Sequence, residues 1–260
     1  MRLNFIMVVF FLVFQSICSQ VSKKVEITSS KDAIKTVSFD PVYFVLGTLS
    51  DYMGRFQYVE REKQIDLYYP FEKPVVDYLT GYIKTKLNIV VDTIFEKSNR
   101  SKMFSDELSK TLNSFYGEKE ELLSDKFKTK KQKYSFLVGI YYRYGEKLDS
   151  SIYKIQLANS PKHQNCYEFL KEIGCENIFY QYLRNIPAQF VLYFEPVDEL
   201  KEYLELIEQE KVALKKSFED QTERFMLENR IKKRKFEKHS QKMKSLEVEK
   251  IKNAFNRLDI

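Results

Sequence analysis

Beyond Pro196 the chain runs to its end without a proline or a glycine. Residues 197–260 therefore lack the two residue types that most readily break a helix, and they are rich in the good helix formers Glu, Lys, Leu and Gln. If continuous, residues 197–258 would make roughly 90 Å of helix. Leu200, Leu204, Ile207, Lys211, Leu214, Phe218, Gln221 and Phe225 alternate steps of four and three. Six of the eight are apolar, so the spacing predicts a coiled-coil seam with two polar interruptions. Val248, Ile251, Phe255 and Leu258 form a shorter second seam. Such a helix points to partner binding or self-association, with Leu200, Leu204, Ile207, Leu214, Phe218 and Phe225 as the contact residues.

Charge along this segment is uneven. Residues 198–210 carry six carboxylates against Lys201, and residues 230–244 carry eight cations against Glu237. Three readings follow: a solvated helix, antiparallel self-association of acidic against basic block, and capture of a polyanion. For the last, the candidates are Arg230, Lys232, Lys233, Arg234, Lys235 and Lys238. The stretch holds little apolar besides Phe236 and Met243, too little for a helix that inserts in a membrane. A net charge of +6 over 260 residues is far below that of a dedicated nucleic-acid protein, so no nucleic-acid partner is expected. An anionic surface remains open.

Residues 1–19 read as a secretory signal peptide, with Arg2 ahead of the apolar run Phe5 to Phe14 and cleavage after Ser19 or Cys18. The run is too short to span a membrane, and no later segment is longer. An exported, periplasmic or extracellular protein is expected. Lipidation at Cys18 is the minor alternative, since Gln15-Ser16-Ile17 fits a lipobox poorly.

Residues 20–38 are polar and weakly patterned, a flexible lead-in. A helical region over 39–130 follows. Phe39-Asp40-Pro41 begins its first helix, Pro74 begins a second carried to Ile94, and Ser105-Asp106 caps a third carried to Leu122. Residues 131–196 read as a small sheet domain. Tyr134 to Tyr144 and Ile152 to Ala158 are its first two strands. A helix from Ser160-Pro161 to Gly174 comes next, then strands Ile178 to Leu183 and Gln189 to Phe194. The expected fold is α+β and helix-rich, with one four-stranded antiparallel or mixed sheet (β-β-α-β-β) and a long C-terminal helix over 197–260. No repeat is visible at solenoid periods.

Chemistry is sparse. His163 and Cys166 lie one turn apart at a helix start, where a Cys–His nucleophile pair is conceivable. Cys166 shares the apolar face with Phe169 and Leu170, however, and no third orienting group is identifiable. Eight helical residues between Cys166 and Cys175 would hold them roughly 12–14 Å apart. That is beyond the ~7 Å reach of a disulfide, so two buried free thiols are expected. His163, Cys166 and Cys175 match no zinc spacing, and no metal or cofactor is expected. GxSxG, HExxH, P-loop and GxGxxG motifs do not occur. The clusters Tyr68-Tyr69-Pro70-Phe71 and Tyr141-Tyr142-Arg143-Tyr144 could stack on sugars or bases, but core packing explains them more simply. Asn99-Arg100-Ser101 is a glycosylation sequon. The expectation is a non-enzymatic interaction or scaffold protein. A secreted enzyme, or a binder of an anionic envelope component through residues 230–244, is the alternative.

Overall fold

A computed structural model describes residues 37–55, 58–96 and 100–258. The expected signal peptide, Cys18, nearly all of the lead-in and Asn99 of the sequon lie outside the described residues. Eight helices and two antiparallel sheets are described, an α+β fold. No described helix is long and apolar enough to cross a membrane.

In chain order the elements are α1 (Pro41–Thr48), β1 (Gln64–Tyr68), α2 (Lys73–Leu87), β2 (Asp92–Phe95), β3 (Ser101–Phe104) and α3 (Asp106–Asn113). They continue with α4 (Lys130–Tyr144), β4 (Gly145–Lys147), β5 (Tyr153–Ala158), α5 (Lys162–Glu172), β6 (Ile178–Leu183), β7 (Gln189–Phe194), α6 (Asp198–Glu210), α7 (Val212–Glu228) and α8 (Lys233–Leu258). The order is a duplication. α1-β1-α2-β2-β3-α3 recurs as α4-β5-α5-β6-β7-α6, with β4 added. The sheets pair in the same way, β1-β3-β2 in one and β4-β5-β7-β6 in the other. The expectation of a single sheet is thereby corrected.

The two halves join at α1 and α4. A Cβ on Gly47 would collide with the Phe136 carbonyl, and one on Gly139 with the Phe44 carbonyl, so the helix backbones touch. Residues 134–144, expected as a strand, form most of α4. Thr129 and Gln132 cap its start reciprocally, Gln132 N donating to Thr129 Oγ1 at 3.2 Å and Thr129 N to Gln132 Oε1 at 3.0 Å. Every side chain from Tyr134 to Arg143 is buried. A helix enclosed on all sides is apolar on all sides, which erases the period that distinguishes it from a strand.

Other boundaries also move. The second helix stops at Leu87 because Asn88 takes a left-handed conformation (φ 57°), and Asp92–Phe95 becomes a strand. The third stops at Asn113.

The C-terminal segment is three helices rather than one, and the coiled coil is not found. Lys211, a polar interruption of the expected seam, is buried at the first break, where its Nζ donates to the carbonyls of Tyr141 and Gly145, each at 2.6 Å. Arg230 (φ 55°) lies at the second break. Leu200, Leu204, Ile207 and Leu214 are buried in the main core. Phe218 and Phe225 are left 55% and 57% exposed, with the Phe218 ring edge-on to Phe71.

Strand alternation divides the four-stranded sheet between two layers. Tyr153, Ile155, Leu157, Leu192 and Phe194 enter the main core. Val191 and Tyr193 face the other way and meet Ile251 and Phe255 of α8 in a separate cluster with Leu148 and Ile152. On the three-stranded sheet, Ser101 and Met103 are buried while Lys102 and Phe104 are half-buried.

Candidate functional site

The C-terminal ends of α1 and α4 bring together the densest set of buried charges. Arg143, the penultimate residue of α4, has all five guanidinium N–H groups placed. Nε donates to Glu72 Oε1 at 2.7 Å and Nη2 to Glu72 Oε2 at 2.9 Å. Nη1 donates to Asp66 Oδ2 at 2.5 Å and to the Thr48 carbonyl at 2.9 Å, and Nη2 to the Leu67 carbonyl at 2.9 Å. Asp66 sits on β1 beside the irregularity in its pairing with β3. It also accepts from Tyr58 Oη (2.5 Å), Ser50 Oγ (3.0 Å) and Ser50 N (2.8 Å). Burial alone would raise its pKa, but Arg143 and the Tyr58 bond outweigh it and hold the carboxyl below its usual range. For Arg143, burial pulls the pKa down and Glu72, Tyr144 and Asp66 together raise it above its ordinary value.

A second pair lies beside the first. Asp51 follows α1 with φ 44° and is fully buried. Lys162, the first residue of α5, places Nζ 3.4 Å from Asp51 Oδ2 and donates to the carbonyls of Gly47, at 3.1 Å, and Leu49. Tyr116 also donates to Asp51. Lys162 thus satisfies carbonyls that the end of α1 leaves open. Burial lowers its pKa in spite of Asp51. Arg55 completes the centre, donating to the carbonyls of Ile65 (2.9 Å) and Gln64 (3.0 Å) and to Asn113 Oδ1 (2.6 Å).

These carboxylates are answered by cations of the same chain. Among the described residues no group of three or more His, Cys, Asp or Glu is placed to hold a metal ion. Over Arg143 lies a half-open cavity of about 160 Å³, walled by Tyr52, Tyr58, Tyr69 and Tyr144, with Leu67, Leu157 and Ala158 completing it. Asp51, Asp66, Glu72 and Lys162 went unseen in the sequence because isolated charges carry no spacing signal. Arg143 stood in view, as the one charge within Tyr134–Tyr144.

The expected catalytic candidates are not assembled. His163 stacks on Phe190 with ring centroids 3.7 Å apart, and its Nδ1 lies 3.0 Å from Tyr180 Oη. Burial pulls its pKa down to about 4. Cys166 is fully buried, and burial pushes its thiol up to about 12, the opposite of an activated thiolate. Cys175 is buried as well, and both cysteines are free.

Of the basic candidates, Arg230 and Lys232 are exposed between α7 and α8, and Arg234 and Lys238 are exposed on α8, with Lys242 beyond them. Lys233 bonds Glu223 at 2.8 Å and Lys244 bonds Glu146 at 2.8 Å. The side chain of Lys235 lies outside the described residues.

No protein-family model and no curated protein sequence matches the chain. Among solved structures it is similar to mesophilic variants of the homing endonuclease I-DmoI, at 14% identity and a TM-score of 0.42, over 64% of this chain and 88% of that one. It is similar to the N-terminal LAGLIDADG domain of DUF199/WhiA at 18% identity and a TM-score of 0.41, over 67% and 84%. For full-length DUF199/WhiA from Thermatoga maritima the values are 16% and 0.42, over 75% and 69%. I-DmoI is also known in complex with DNA and Ca. Likenesses of this size assign neither activity nor partner to this chain.

The solved structures similar to this chain include an endonuclease in complex with DNA. The secreted or periplasmic scaffold, the exported location and the exclusion of nucleic acid are corrected and not retained. The scaffold also loses its physical basis, because four of its six contact residues, Leu200, Leu204, Ile207 and Leu214, are buried within the chain itself.

Proposed function

We propose that this chain binds nucleic acid, with α8 and the turn before it contacting the phosphate backbone. The supporting observation is the division of α8 into two halves. Its C-terminal half is anchored through Val248, Ile251 and Phe255, while its N-terminal half presents Arg234, Lys238 and Lys242 exposed on one stripe. At four-residue steps these cations are spaced roughly 6 Å apart along the axis, comparable to the spacing of backbone phosphates. The modest net charge concealed this. Within the acidic block on α6, Glu205 pairs with Lys147 and Glu208 with Lys215, and local density, not the sum, sets the field of the basic stretch. At the centre, Asp51 and Asp66 are engaged by Lys162 and Arg143, an arrangement suited to holding the halves together and favouring binding over hydrolysis.

The test is fluorescence anisotropy with labelled duplex and single-stranded DNA across a salt series. The triple change Arg234→Gln, Lys238→Gln, Lys242→Gln should lower duplex affinity at least tenfold. It should also flatten the slope of log K against log salt by about 2.7, three phosphate contacts at ~0.9 each. No binding of the unaltered chain to any nucleic acid at low salt would overturn the reading.

A further inference from the structure

β6 is an edge strand of the four-stranded sheet, and its side chains alternate between the two faces. On the face turned to α5, Tyr180 and Tyr182 project from this edge, 37% and 50% exposed. α5 meets them through His163 and Tyr167, whose ring centroids lie 5.9 and 6.2 Å from that of Tyr180. Phe190, opposite Tyr182 on β7, joins the rings into one row. Its plane lies 13° from that of His163, 24° from Tyr180 and 30° from Tyr182, at centroid distances of 3.7, 6.4 and 5.4 Å. Two residues past Tyr182, Arg184 is exposed and has no ion pair among the described residues.

Few charges act on this row. His163 is neutral, since burial pulls its pKa down to about 4. Lys171 lies over the Tyr167 ring at 5.5 Å, and Glu168, one turn before it on α5, offsets its charge. Glu172 is paired with Lys133, and Glu176 precedes the strand at the end away from Arg184. Arg184 is left as the cation beside Tyr182. Exposed rings that end in an unpaired guanidinium suit a polymer of flat aromatic units joined by anions. Every base has a π-face that stacks on tyrosine, and a phosphate takes the planar fork of arginine. Tyr182 and Arg184 are at most ~7 Å apart along the chain, so one nucleotide can reach both. A neutral sugar or an apolar peptide would leave the guanidinium idle, and a duplex keeps its base faces stacked inside. We propose that the Tyr180–Tyr182–Arg184 edge, backed by His163 and Phe190, binds unpaired nucleotides, with a base stacked on Tyr182 and the adjoining phosphate on Arg184. This rests on the reading that the chain binds nucleic acid, and adds to α8 a separate surface that selects unpaired bases.

Fluorescence anisotropy on the full chain tests this with three labelled probes: oligothymidylate, an abasic strand of the same length, and a duplex. The unaltered chain should bind oligothymidylate about fivefold or more tighter than the abasic strand. Tyr182→Ala should abolish that preference and leave duplex binding unchanged, while Tyr182→Phe should keep it. Arg184→Gln lies outside the strand and carries the decision if Tyr182→Ala unfolds, as judged by circular dichroism. It should weaken binding of both single strands and flatten their salt slope by about 0.7, one phosphate contact. The triple change on α8 separates the two readings, since it should lower duplex affinity and leave the ratio between the single strands as it was. Equal binding of the two single strands by a chain that binds duplex would overturn the aromatic site alone. So would a preference that survives Tyr182→Ala, single-strand binding unmoved by Arg184→Gln, or retention on a neutral glucan or an extended peptide in place of the base preference. No binding to any of the three probes would overturn both readings.

Discussion

Lys162 of the second half places its ammonium 3.4 Å from Asp51 of the first, and both side chains are fully buried. The pair crosses the joint between the duplicated units, so a buried charge of each half is paired with one of the other. Removing one partner leaves a buried charge uncompensated, which costs far more than the pair contributes when intact. Lys162→Met should therefore destabilise the chain by about 3–5 kcal/mol. Lys162→Met combined with Asp51→Asn should recover part of that. Urea unfolding of the single and double variants decides it, and a double variant no better than the single would show that the two residues act separately.

The glycines at the same joint make a sharper test because a negative control is built in. Gly47→Ala and Gly139→Ala each drive a methyl into a carbonyl of the facing helix, where backbone rather than a flexible side chain must yield. Each should cost at least about 3 kcal/mol, at or above the upper end of overpacking losses. Gly81 in α2 has open space around its missing Cβ. Gly81→Ala should instead stabilise by about 0.5–1 kcal/mol, because alanine loses less backbone entropy in a helix. Thermal or urea melts showing the same sign at all three positions would contradict the close approach of α1 and α4.

His163 gives the fold a pH dependence of known sign. Its pKa is about 4 in the folded chain against an ordinary 6.5, so the folded state binds fewer protons between those values. Stability from this site falls as the pH drops from 6.5 towards 4, and the loss is complete below that. Replacing the stacked imidazole with a ring that cannot titrate removes the effect, so His163→Phe should narrow the fall in urea midpoint over that window. Parallel pH profiles for the two proteins would show that His163 is not held neutral against Phe190.

How far the fold was legible depends on which period each element displays. β5, β6 and β7 alternate between a core face and a second face, and β6 and β7 appeared within their true bounds. α5 was marked at both ends by Ser160-Pro161 and Gly174, which has φ 98°. α4 was invisible as a helix because enclosure removes amphipathicity. The C-terminal seam had the right period and the wrong partner, since periodicity identifies an apolar face without saying what covers it. The central site carried one signal that could have found it. Phe44-Val45-Leu46-Gly47 and Phe136-Leu137-Val138-Gly139 share a pattern in a chain with only seven glycines. Their separation along the chain is far longer than any solenoid period.

The docking of α8 separates stability from binding. Its contacts form a cluster of their own around Ile251, Phe255, Val191 and Tyr193, apart from the main core. Around that cluster Lys154 bonds Glu247 at 2.9 Å, Lys252 bonds Asp149 at 2.8 Å and Lys244 bonds Glu146 at 2.8 Å. Lys244–Glu146 is exposed at both ends, and pairs of that kind contribute about 0–1 kcal/mol and weaken with salt, so the apolar contacts are the main hold on the helix. Burying one isoleucine is worth roughly 1.5–3 kcal/mol, and an aspartate in its place reverses that. Ile251→Asp should therefore release α8 while the duplicated body stays folded. In hydrogen exchange, amides of residues 245–258 should lose protection and those of α1 and α4 should keep it. Because Lys244 would then leave Glu146 and join Arg234, Lys238 and Lys242 as a free cation, the same variant should bind duplex DNA no more weakly than the unaltered chain. A variant that melts as a whole would place α8 inside the main folding unit, and one that loses DNA binding would make docking a requirement for it.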